Sequence, residues 1–205
     1  MLYIGTVSAT GQGIGRPRDR SLDGAILAAA RELLAEVGYA QVTMDATAVR
    51  AGTSKAAIYR RYKSKAELMF AAGVHGAEAN PPADTGSLRD DLFALGARIR
   101  ADMSAPTARE VAPHVIAEVV HSPEVSQRLR GVFVATERRE IEAILSRAVL
   151  RRELPVVPTV ATVHRMLGGA LFFTIMVIDE RVDDAELARV VDALVAGIHA
   201  LVGQT

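Results

Sequence analysis

Gly52 divides two short runs of helical spacing, and that division constrains the fold more than any other feature of the chain. Upstream, Thr43 to Ala51 reads TMDATAVRA, apolar on one side and opened by a threonine suited to cap a helix. Downstream, Ser54 to Tyr62 reads SKAAIYRRY, which sets Lys55, Tyr59, Arg60 and Arg61 within about two turns. A helix, a tight glycine turn and a second helix with basic and aromatic side chains is the layout of a helix-turn-helix. Its second helix lies in the major groove of DNA.

The helical period continues on both sides. Ser21 caps a first helix with Asp23 in its opening turn. Ile26, Leu27, Ala30, Leu33, Leu34 and Val37 recur along it, and Gly38 ends it. Ser64 caps a fourth helix running towards Ala79, and Asn80-Pro81-Pro82 cannot continue it. Five further stretches follow at about 87–103, 107–121, 123–150, 159–181 and 184–202. Ser122-Pro123-Glu124 is a strong helix start. No β-period survives. The expectation is an all-α fold of about nine helices, with an N-terminal three-helix helix-turn-helix domain (21–65) and a larger helical domain (66–205). Residues 1–15, rich in Gly, Ser and Thr, read as a disordered arm. Arg16-Pro17-Arg18-Asp19-Arg20 completes it, as a basic arm for DNA or equally a solvated linker.

Net charge is zero over 205 residues, but residues 16–65 carry ten Arg or Lys against five Asp or Glu, and residues 66–205 carry fourteen against nineteen. A basic segment beside an acidic one suggests that a polyanion meets the first alone; chance scatter of surface charge reads the asymmetry as well. Three of the four tyrosines (Tyr39, Tyr59, Tyr62) fall in the basic segment and all five Phe fall after it. Wet interfaces use the phenol, and apolar interiors do not need it. Cysteine is absent, which rules out disulfides and thiol chemistry. The start lacks a secretory pattern, and the longest apolar run, Leu171 to Ile178, is too short to span a bilayer. The expectation is a cytoplasmic protein with no membrane partner.

The chain resembles the TetR family of transcriptional regulators. The resemblance rests on Ala30-Arg31-Glu32-Leu33-Leu34 with Gly38-Tyr39, Thr43-Met44-Asp45, Ala51-Gly52-Thr53-Ser54-Lys55, Ile58-Tyr59-Arg60-Arg61-Tyr62 and Lys63-Ser64-Lys65. Arg152-Glu153-Leu154 also looks familiar. The resemblance implies a DNA-binding domain of three helices, a fourth helix linking it to a ligand-binding and dimerisation body, and last two helices that pair across a two-fold axis. Thr47 and Thr53 depart from the pattern, standing where Ile or Leu and Val are usual. Each buried hydroxyl is expected to bond a backbone carbonyl nearby.

Sorting the second motif helix by face turns Ala57, Ile58 and Tyr62 inward and leaves Ser54, Lys55, Ala56, Tyr59 and Arg60 outward. Small Ala56 admits the backbone to base edges, while Lys55 and Arg60 can bond guanine or phosphate. Arg61 joins this DNA-binding set; the plainer reading is a solvated charge for Lys55 and Arg61 and a partly buried packing residue for Tyr59. Thr43 and Lys65, at helix N-termini on either side, are assigned to phosphate.

The candidate ligand-binding residues are Phe93, Phe133, Met166, Phe172, Phe173 and Met176, adaptable apolar walls that serve equally as core. His114, Glu118 and His121 share a helix face at a spacing a divalent ion accepts. No metal or cofactor is assigned, because Pro113 and the helix end at Ser122 leave the two histidines near termini. His114 and Glu118 are kept instead as polar candidates of the ligand site. Gly168-Gly169 inside a helix points to close helix approach. Leu187, Val190, Val191, Leu194, Val195, Ile198 and Leu201 form a stripe broad enough for a core and a partner helix. No Ser-His-Asp order, phosphate loop, HExxH or Rossmann glycine pattern occurs, so the chain is not read as an enzyme. The expectation is a dimeric regulator on a palindromic operator in double-stranded DNA, a repressor released by a small, mostly apolar effector. The alternative is an architectural DNA-binding protein or an activator without such an effector.

Overall fold

The computed structural model describes residues 20–74 and 84–203, without the side chains of Arg20, Gly73, Val74, Val132 and Phe133. The basic arm and the Asn80–Pro82 turn lie outside the described residues. Among those described there are ten α-helices and no strand.

The first three helices are punctuated by local chemistry. α1 (Arg20–Gln41) starts one residue before Ser21, and Gly38 at φ 73° and ψ 165° interrupts it near its end. α2 (Met44–Arg50) is capped by Thr43, whose Oγ1 accepts the Ala46 N–H at 3.1 Å. Gly52 takes φ 62°, a left-handed turn that costs a side-chain-bearing residue roughly 1 kcal/mol or more. α3 (Lys55–Tyr59) is shorter than the period suggested, and Ser54 caps it by accepting the Ala57 N–H at 3.1 Å. Thr47, fully buried, donates to the Thr43 carbonyl at 2.9 Å, so its hydroxyl is satisfied locally. Thr53 differs from expectation: its backbone N–H bonds Ala48, but its hydroxyl makes no hydrogen bond among the described residues, and its half-buried position lets solvent meet it.

Ser64 and Glu67 open α4 (Lys65–Val74). Ser64 Oγ accepts the Glu67 N–H at 3.0 Å, and Glu67 accepts the Lys63 N–H at 2.6 Å. The body follows as α5 (Leu88–Ser104), α6 (Pro106–His121), α7 (Pro123–Leu129), α8 (Ala135–Leu150), α9 (Val160–Phe172) and α10 (Asp184–Val202). A π-helical turn, Arg130–Val134, joins α7 to α8, and a second, Phe173–Val177, extends α9. The stretch expected to reach Arg181 as one helix therefore ends in a π turn, with Asp179 at φ 57°.

Two apolar cores organise these helices. The first holds Ile26, Leu34, Ile58 and Met69, and takes Val111 and Val115 from α6. The second is built by α5, α8, α9 and α10 around Leu92, Leu145, Leu167 and Val191. Close helix approach occurs at Gly96, where a Cβ would meet Leu187 Cδ1 of α10 at 2.9 Å. It does not occur at Gly168 and Gly169, beside which a Cβ would meet nothing within 4 Å.

The Arg152-Glu153-Leu154 motif ties α8 to α5. Arg152 turns the chain at φ 63°, Leu154 is buried in the second core, and Glu153 accepts the Leu88 N–H at 2.8 Å at the start of α5. Asp91, fully buried, accepts from the Thr85 N–H (2.8 Å) and hydroxyl (2.7 Å) and pairs with Arg151 (3.1 Å) and Arg147 (3.4 Å).

Candidate functional site

The outward surface of α3 carries Ser54, Lys55, Ala56, Tyr59 and Arg60, all exposed, above buried Ala57 and Ile58. Arg60 makes no ion pair among the described residues. Lys55 pairs with Asp45 of α2 at 2.7 Å, and that carboxylate holds the ammonium above its ordinary pKa. The lysine is thereby aimed along the junction of the two motif helices. Thr43 is exposed at the start of α2.

Arg61 and Lys65 have other company. Arg61 Nε lies 2.6 Å from Asp23 of α1, outside good hydrogen-bond alignment, and its Nη1 donates to the Ala57 carbonyl at 3.2 Å. It is neither a solvated charge nor an open cation. Lys65 donates to the Ala40 carbonyl at 3.1 Å and stands 4.3 Å from the centre of the Tyr39 ring. Burial lowers its pKa against the opposing pull of Glu110.

One face of α6 grips this domain. Glu110 accepts the Tyr39 N–H. His114 stacks on the Tyr39 ring with centroids 4.0 Å apart and planes 11° from parallel. Glu118 accepts the Ser64 hydroxyl. Burial, then the charge of Glu118, raises the Tyr39 pKa. Arg128 of α7 adds a 2.9 Å bond to Glu67 and a bond to the Arg61 carbonyl. His121 instead lies against the Ala117 carbonyl at 2.7 Å, so the three side chains considered for a metal have three different partners. His114 and Glu118 thus sit at the junction between the motif and the body, and neither is among the cavity-lining residues.

The adjoining face of α6, about 100° further round the helix, looks onto a cavity of about 440 Å³ between the two cores. Val111, Val115 and Val119 line it from α6, Met69 and Phe70 from α4, and Gly168 and Gly169 from α9. The glycine pair thus widens a cavity wall. Of the apolar candidates, Phe172 and Met176 line this space. Phe93 packs on the second core, Met166 and Phe173 are exposed on the outer side of α9, and the Phe133 side chain lies outside the described residues. Sequence reasoning missed the polar wall residues Asp102, Thr107, Glu137, His164 and Arg165. For Asp102 a signal existed, since it continues the apolar spacing of Leu95 and Ile99 with a charge.

Comparison with known proteins agrees with this architecture. Residues 26–72 match the family model for bacterial regulatory proteins of the tetR family, and residues 82–194 match the tetracyclin repressor-like C-terminal domain. The chain is 37% identical over 178 residues to the HTH-type transcriptional regulator Rv1556 of Mycobacterium tuberculosis, covering 82% of this chain and 84% of that one. It is 35% identical over 189 residues to the DNA-binding transcriptional repressor TetR of Mycobacteroides abscessus, covering 85% and 92%. Among solved structures, the TetR family transcription regulator SCO0332 superposes with a TM-score of 0.73 at 25% identity, over 87% of this chain and 98% of that one. With the motif helices, the helical body and the relatives in agreement, the chain belongs to the TetR family of DNA-binding transcriptional regulators.

Proposed function

We propose that the protein is a homodimeric repressor whose affinity for a palindromic operator falls when a small, mostly apolar ligand fills the cavity. The observation that carries this reading is the double use of α6. Glu110, His114 and Glu118 on one face hold Tyr39 and Ser64 of the motif domain, while Val111, Val115 and Val119 on the adjoining face line the cavity. A ligand that prefers one placement of α6 shifts the spacing of the two reading helices in the dimer, and differential affinity for two states is all that coupling requires. The linking helix α4 moves with it, since Met69 and Phe70 also line the cavity.

In this reading Ser54, Lys55, Ala56, Tyr59 and Arg60 present the surface that reads bases, and Thr43 meets phosphate. Arg61 and Lys65, engaged within the protein, hold α3 and α4 in register for those contacts. Operator selection from random DNA with the purified protein tests the assignment. A two-fold symmetric consensus is expected. Binding with a steep salt dependence and no sequence preference would instead support an architectural role.

The outer face of α9 and α10 supports the dimer. Leu187, Val191, Leu194 and Ile198 of the α10 stripe are consumed by the monomer's own core. What stays open is Met166, Phe173 and Val177 on the α9 side, with Leu201 on α10. The window Val160–Val177 has a mean hydropathy of 1.5, yet only 22% of it is buried. At 1.5 Å per residue those 18 residues reach about 27 Å, just short of a ~30 Å hydrocarbon core, and they include Arg165. A second copy of the chain, offering the same apolar face, fits this surface better than lipid. Light scattering at micromolar concentration is expected to give a dimer and Phe173→Asp a monomer. A monomeric wild type would defeat the idea.

A further inference from the structure

The cavity is apolar apart from a few groups, and two of these are hydrogen-bond acceptors without a donor. Asp102 of α5 lines it half-buried, and its carboxylate makes no hydrogen bond or ion pair among the described residues. Its burial raises its pKa, opposed by Arg98 and reinforced by Glu140. Arg98 is itself engaged with Glu140, at 3.3 Å through Nη1. The second acceptor is on α9. His164 Nε2 lies 2.7 Å from Glu137 Oε2, and a carboxylate only accepts, so the ring carries its proton on Nε2. In the neutral ring that leaves Nδ1 as an acceptor, and Nδ1 is buried with no partner. The other charged wall residue, Arg165, is exposed and donates to Thr162 at 3.2 Å. A buried acceptor without a donor, as His164 Nδ1 is, is costly, and a ligand that supplies the donor recovers the loss; at half-buried Asp102 the ligand would replace solvent with a charged donor.

We propose that the cavity selects apolar ligands that carry a protonated amine, with Asp102 and His164 Nδ1 accepting its N–H groups and Glu137 adding a second negative charge. An anionic head would face Asp102 and Glu137, against which the described wall sets one arginine, Arg165, exposed at the rim. A neutral alcohol would satisfy one acceptor and leave the charge uncompensated. The aliphatic part of the ligand lies against the valines of α6 and the open space beside Gly168. This inference rests on the cavity being the effector site.

Three probes with one chain length and different heads separate the two ideas: decylamine, decan-1-ol and decanoate, titrated calorimetrically into the full-length protein at neutral pH. Decylamine is expected to bind roughly tenfold or more tighter than either of the others, as a charge-assisted bond allows. Asp102→Asn should bring decylamine down to the affinity of decanol. Gly168→Leu, whose Cβ would meet nothing within 4 Å, should weaken all three. Equal binding of the three heads that Gly168→Leu abolishes overturns the amine preference and leaves the cavity as effector site. An amine preference that persists in Asp102→Asn overturns the assignment to Asp102. No binding of any probe, or binding indifferent to Gly168→Leu, overturns the cavity reading and this inference with it.

Discussion

Replacing Asp91 with alanine is expected to lower the unfolding free energy by about 3 kcal/mol. For a chain of this size that corresponds to roughly 6–12 °C in melting temperature. Asp91 is fully buried at the start of α5, facing Arg147 and Arg151 near the end of α8. Removing it strands the Thr85 donors and takes from Arg147 and Arg151 their one buried partner, leaving them the more exposed Asp84 and, for Arg151, Glu153. The arginines keep some contact with water, which places the cost at the low end for a broken buried pair. Burial alone would raise the Asp91 pKa, but the Thr85 N–H and hydroxyl, Arg151 and Arg147 outweigh it and hold the group below its ordinary value. A depressed carboxylate stabilises the fold above its unfolded pKa, about 3.9, and that stabilisation is lost as pH falls through the folded value. The difference between wild type and Asp91→Asn should therefore shrink below about pH 4, as followed by urea unfolding monitored by circular dichroism. A constant difference from pH 7 to pH 3 would mean that the charge of Asp91 contributes nothing.

Arg60→Ala and Tyr59→Ala are each expected to weaken binding to the selected operator by about 1–3 kcal/mol, roughly 5- to 150-fold, with no loss of helix content. Both side chains stand exposed on α3 while Ile58, on its inner side, is fully buried, so truncation leaves the packing intact. If Arg60 contacts a base edge, its loss relaxes preference at one operator position. If it contacts phosphate, its loss weakens all sequences alike and lowers the salt slope by about one unit. Gel-shift titration at two salt concentrations separates these. Wild-type affinity in both variants would remove α3 as the reading helix.

The motif was legible because its signals are local. Thr43 and Ser54 bond N–H groups three residues ahead, Gly52 needs only its own dihedral freedom, and Ile58 and Tyr59 separate by face within one turn. The cavity was much less legible. Whether Phe93 packs in the core, Phe173 faces outward or Phe172 borders a void depends on which helix lies opposite, and spacing along one helix does not encode that. The glycines at 168 and 169 show the same limit: an open cavity wall and a tight helix crossing demand the same residue. Glu118 and Arg128 escaped their roles for a related reason, because their partners Ser64 and Glu67 lie far away in sequence.

The sharing of α6 between the motif domain and the body also bears on cooperativity. Ile26, Leu34 and Ile58 close their core only with Leu68 and Met69 from α4 and Val111 and Val115 from α6. The sequence boundary near residue 65 is therefore not a thermodynamic one, and the motif helices have no complete core of their own to melt from. Heat or denaturant should remove both parts in a single transition. Any molecule that binds only the folded cavity raises the stability of the DNA-reading helices by mass action, even while it disfavours their placement on an operator.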